Sequence, residues 1–151
     1  MRHVVVATAL AFVALAHPVR ADEGSPDLYN LMTTTVLAKC RAVMSVALTR
    51  MAQGDSPEEA LNNGNGSDGD GDWPTCLANG KQEGISIYQS TLKHLKKVKA
   101  REALKAYQAA WLAGMDGVPP ASGEIRLDYR RRQSATDTKI REAWSKVQVE
   151  L

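Results

Sequence analysis

The sequence predicts an all-α fold, a small helical bundle of three to four main helices with one disulfide. Three observations lead there. Apolar residues recur at spacings of three and four over most of the chain beyond residue 25. No stretch alternates apolar and polar residues for long enough to make a strand. Two cysteines follow an apolar leader, a setting in which a pair closes a bridge.

The leader comes first. Arg2 precedes a run from Val4 to Ala16 that only Thr8 interrupts, and His17, Pro18 and Arg20 end it. Ala21 before Asp22 suits a cleavage point, so 1–21 reads as a secretory signal peptide. A spanning helix needs about 20 apolar residues, more than this run supplies. The expectation is a periplasmic or secreted chain, 22–151, forming a single domain with no transmembrane segment.

Helix one opens at Ser25-Pro26-Asp27: a cap, a proline suited to the first turn, and an acid facing the positive end of the helix dipole. Its expected apolar face is Leu28, Leu31, Met32, Val36, Cys40, Val43, Met44, Ala47, Leu48 and Met51, and Gly54 ends it. Ser56 with Glu59 forms a second cap of capping-box type, for a short helix only. Residues 62–72 hold four glycines and no apolar side chain, the composition of a mobile loop.

Helical pattern resumes after Trp73-Pro74, with Cys76, Leu77, Ile85, Tyr88, Leu92 and Leu95 on one stripe. Gly80 and Gly84 weaken its start by propensity. Leu104, Tyr107, Trp111 and Met115 make a new stripe rotated by about 100°. A turn or kink is therefore expected near 97–100. Gly114, Gly117 and Pro119-Pro120 are expected to end this helix. The last helix is expected over 123–148, with Ala135, Ile140, Ala143, Trp144 and Val147 inward and a more polar first half.

Cys40 and Cys76 close a loop of 36 residues. Such a bridge stabilises by roughly 3–4 kcal/mol in the chain-entropy account.

Charge is split along the chain. Residues 22–80 carry three basic and nine acidic side chains, and 81–151 carry fourteen basic and eight acidic. The halves can neutralise each other on folding, or the second can show a basic face to an anionic partner. The candidates for that face are Lys93, Lys96, Lys97, Lys99, Arg101 and Lys105, with Arg130, Arg131 and Arg132. Nucleic acid is not expected as the partner: no binding motif is present, and the aromatics fall on apolar faces rather than between the cations.

Asp68, Asp70 and Asp72 form a candidate weak calcium site resembling the start of an EF-hand loop. Trp73 stands where that pattern needs glycine, and Asn79 where it needs the bidentate glutamate. No other metal, and no cofactor, is implied. Catalytic motifs are absent: the only histidine after the leader is His94, among lysines, and no nucleophile elbow or phosphate-cradling glycine motif occurs. No catalytic residue is assigned.

Gln108-Ala109-Ala110-Trp111-Leu112 resembles the Gln-x-x-Trp segment of small exported helical proteins related to bacterial lysozyme inhibitors. It covers five residues, and no functional residue is carried over. The functional expectation is an exported, non-enzymatic helical protein that binds a macromolecular or anionic envelope partner. The alternatives are a small periplasmic hydrolase using paired carboxylates, or a lysozyme-inhibitor-like protein.

Overall fold

A computed structural model describes residues 25–56, 59, 60 and 73–151. The expected leader 1–21 and the loop 62–72, with Asp68, Asp70 and Asp72, lie outside the described residues. Among the described residues four long helices follow in order: α1 (Pro26–Ala52), α2 (Trp73–His94), α3 (Val98–Asp116) and α4 (Arg126–Glu150). No strand occurs among the described residues, so the helical bundle with one disulfide is the fold.

The local signals at the helix ends act as the sequence implies. Ser25 Oγ accepts from the Leu28 amide at 3.1 Å. Gly54, just past α1, has φ +107, which a side chain would resist. The Ser56 amide donates to Glu59 Oε2 and the Glu59 amide to Ser56 Oγ, both at 3.2 Å, completing the capping box. The expected kink is a break: α2 ends at His94 and α3 begins at Val98. Neither glycine nor proline occupies 95–97. What ends α2 is the phase shift of the apolar stripe: a straight continuation would carry Leu104, Tyr107, Trp111 and Met115 away from the core. After the break all four are fully buried.

The helices alternate in direction. Cys40 of α1 is bonded to Cys76 of α2, Cα to Cα 5.6 Å, within the usual range for a bridge. Gly84 of α2 backs onto Trp111 of α3. Gly114, expected as a stop, lies inside α3, where its missing side chain lets Ile140 of α4 pack close. Gly80 and Gly84 therefore have a packing role that propensity hides. A Cβ at Gly80 would stand 2.6 Å from Val36 Cγ1 and 2.9 Å from Met115 Cε, and one at Gly84 would overlap the Trp111 indole. The two glycines let α2 approach α1 and α3 closely.

Some expected core positions are corrected. On α1 the inward residues are Tyr29, Thr33, Leu37, Cys40, Met44 and Ala47, while Leu31 is 61 % exposed. The helix is apolar nearly all round, so its pattern left the facing side ambiguous. Tyr29 wins because it stacks edge-on to Tyr107, ring centroids 5.5 Å apart. Thr33 can be buried because its hydroxyl donates to the Tyr29 carbonyl at 2.8 Å and lies 2.6 Å from the Tyr107 hydroxyl. Tyr107 in turn donates to Asn30 Oδ1, and Trp111 Nε1 to the Thr33 carbonyl at 2.7 Å. Ile85 and Ala135 lie on the exposed side. Trp73 is half-buried against the core next to the bridge.

By length and composition α1 could cross a membrane. In this fold it carries the bridge and one wall of the core. Helix α4 is laid along α3 rather than closed onto α1, with Trp144 5.3 Å from Tyr107 and Ile140 and Val147 buried. That arrangement leaves a groove between α1 and the polar first half of α4.

Candidate functional site: two basic regions

The candidate cations fall into two regions. Lys93 ends α2, Lys96 and Lys97 occupy the break, and Lys99, Arg101 and Lys105 begin α3. All six are exposed. None makes an ion pair among the described residues. Lys97 is the N-cap of α3 and makes no side-chain cap bond, and no acid stands in the first turn. Cations at the positive end of a helix dipole raise the local potential further. Lys97 Nζ donates to the Leu151 carbonyl at 2.6 Å, so the end of α4 lies beside this corner. Val98 and Val149, 74 % and 81 % exposed, add apolar surface there, with Leu151.

Arg130, Arg131 and Arg132 sit at the other end of the α3–α4 pair. Helix α3 has 19 residues and is about 28 Å long at 1.5 Å per residue. The tertiary structure thus separates what the sequence grouped as one face. Arg132 is moreover committed to the fold. Its Nε and Nη2 donate to the two Glu124 oxygens at 2.8 and 2.7 Å. It also donates to the carbonyls of Gly117, at 2.5 Å, and Pro119, at 3.0 Å. Its guanidinium lies 5.3 Å from the Tyr129 ring centroid. These bonds tie the loop 117–125 to α4, and Gly123, with φ +74, allows the turn. Arg131 is 3.6 Å from Asp128 on the surface, and Arg130 is exposed and unpaired among the described residues.

Partial self-neutralisation occurs elsewhere. Arg41 of α1 bonds Asp137 of α4 at 2.6 Å, Lys81 of α2 pairs with Asp116 of α3, and Arg50 holds Asp55. Each fixes one element or loop against another.

The groove encloses about 1040 Å³ and is open to solvent along one side. Arg41, Leu48 and Ala52 of α1 face Arg126, Tyr129, Arg130 and Arg141 of α4 across it, and Pro120 closes one end. Among the described residues its carboxylates are Glu124 and Asp137. Arginine holds both, and the Arg132 hydrogen bond keeps the Glu124 carboxyl down at about 2. A carboxyl held ionised in this way is a poor proton donor near neutrality, so Glu124 is unsuited to act as a general acid. Sequence reasoning missed this groove, since Arg41 and Arg141 lie far apart in the chain. The one sequence signal for it was the polar first half of the last helix.

Gln108 and Trp111, which carried the sequence resemblance, are both buried. They serve the core. Among the described residues no group of three or more histidine, cysteine, aspartate or glutamate side chains could hold a metal ion. No family model, curated protein or solved structure matches this chain.

Proposed function

We propose that this is an exported, non-enzymatic helical protein that docks onto an anionic component of the cell envelope through the corner between α2 and α3. The observation that carries the reading is the contrast in pairing. Arg41, Arg50, Lys81, Arg131 and Arg132 have acidic side-chain partners, whereas Lys93, Lys96, Lys99, Arg101 and Lys105 have none among the described residues, and Lys97 is bonded only to Leu151. Folding pairs those five cations and leaves a dense lysine-rich cluster exposed at this corner. The neighbouring Val98, Val149 and Leu151 suit insertion between anionic headgroups. The apolar leader and the Cys40–Cys76 bridge support export.

The test is sedimentation with vesicles rich in anionic phospholipid. Each cation near such a surface contributes about 1 kcal/mol, so changing Lys96, Lys97, Lys99 and Arg101 to Gln weakens binding by roughly three orders of magnitude. Binding by the unaltered protein also falls steeply as salt rises. Equal binding by the two proteins would sink the reading.

A further inference from the structure

The groove between α1 and α4 differs in chemistry from the corner. All four of its basic side chains are arginines, Arg41, Arg126, Arg130 and Arg141, against the five lysines and one arginine of the corner. Arginine is the cation of fixed, forked recognition, and lysine a mobile point charge. Arg126, Arg130 and Arg141 make no ion pair among the described residues and are exposed along one side of α4. The span from Arg126 to Arg141 is about 22 Å at the helical rise.

Two polar groups in the groove wall lack partners among the described residues. Arg41 gives Nη1 to Asp137, but its Nε and Nη2 are buried with no acceptor. Gln133 gives Nε2 to the Gly117 carbonyl at 2.6 Å, and its Oε1 is buried with no donor. Buried donors and acceptors left unpaired are costly and uncommon. Those atoms are closed to solvent, so the groups a ligand meets are the exposed guanidinium groups of Arg126, Arg130 and Arg141, which ask for carboxylate-type acceptors. Leu48, Ala52 and Tyr129 add apolar surface between the polar groups. The volume lies at the upper limit for a small-molecule site, and the groove is open along its length, so an extended chain fits better than an enclosed metabolite.

We propose that this groove binds an extended acidic peptide segment of a partner protein. At about 3.3 Å per residue, six or seven residues span the distance from Arg126 to Arg141. Acidic side chains at alternate positions reach the exposed guanidinium groups of Arg126, Arg130 and Arg141. The site is independent of the basic corner, which lies at the opposite end of α3.

The experiment uses the purified protein and a fluorescein-labelled, end-blocked heptapeptide with glutamate at alternate positions, read by anisotropy. Three variants are compared: Arg126→Gln with Arg130→Gln and Arg141→Gln, the same three positions changed to Lys, and the four-site corner variant described above. The three arginines make no ion pair among the described residues, and a thermal melt verifies that the fold persists. The expected result is at least a tenfold loss of peptide affinity in the Gln variant. The Lys variant loses several-fold, because charge remains while the fork is gone, and the corner variant stays within twofold of the parent. Loss only in the corner variant, or no loss in any, overturns the proposal. A heparin oligosaccharide that competes at the groove and binds it more tightly than the peptide also overturns it, by assigning the groove to an acidic glycan.

Discussion

Gly84 and Trp111 share a single space: the six-membered ring of the indole lies where a Cβ on Gly84 would be. Trp111 is fully buried at that spot and donates from Nε1 to the Thr33 carbonyl at 2.7 Å. The contact therefore links α2, α3 and α1 at once. A residue that helix propensity marks as a weakness allows the largest buried side chain to be seated.

Gly84→Ala is accordingly expected to destabilise. The gain in helix propensity is about 1 kcal/mol. Forcing a methyl into a packed core costs typically 1–3 kcal/mol, and here the obstacle is a rigid ring pinned by a hydrogen bond. The net loss is about 1–2 kcal/mol, seen as a lower melting temperature. A rise in that temperature would show that the indole can move aside.

The bridge is expected to contribute a large share of the domain's stability. Cys40→Ser with Cys76→Ser lowers stability by roughly 3–4 kcal/mol on the chain-entropy account for 36 residues. Both sulfurs are buried, so unpaired hydroxyls there add to the loss. Urea unfolding of the two proteins measures the difference.

Acid sensitivity follows from Glu124. Its folded acidity lies near 2, below the ordinary 4.5, because Arg132 donates to the carboxylate and the Ala121 amide assists. A carboxyl lowered in the folded state stabilises above its unfolded value and loses that contribution as pH falls through its folded one. Melting temperature is therefore expected to drop as pH falls from about 4.5 to 2. Glu124→Gln should start lower at neutral pH and show a flatter profile across that window. A parallel profile would contradict the assignment.

The tyrosines set the alkaline limit. Burial raises the phenol of Tyr29, with the neighbouring Tyr107 and Tyr88 adding to the effect. Burial likewise raises Tyr88, Tyr107 and Tyr129. A group raised in the folded state protects up to its unfolded value, here 10, and the benefit is lost as pH climbs toward the folded one. Ultraviolet titration should show little phenolate at pH 10, followed by a cooperative release that coincides with loss of helical circular dichroism. A gradual titration centred on 10 with the fold intact would refute this.

Much of the architecture was legible in the amino-acid order. The stripe of Leu104, Tyr107, Trp111 and Met115 was read from spacing alone, and all four are fully buried. The caps at Ser25 and Ser56, the stop at Gly54 and the Cys40–Cys76 pair were equally local in origin. Helix α1 was harder, because an almost uniformly apolar helix offers several equivalent faces. Leu31, expected inward, is 61 % exposed, and Thr33 is buried because its hydroxyl found hydrogen-bond partners.

Sequence by itself determined the helices, the caps at Ser25 and Ser56, the bridge and the excess of positive charge in the second half, since each depends on neighbours within a few turns or on a single compatible partner. Only the tertiary structure decided how those charges are divided. It drew Arg132 into the loop beside Glu124, left the lysines from 93 to 105 together in water, and brought Arg41 opposite Arg141 across a groove. The physical reason is that a guanidinium's role is set by the acceptors and the solvent around it, and these come from helices that are distant along the chain.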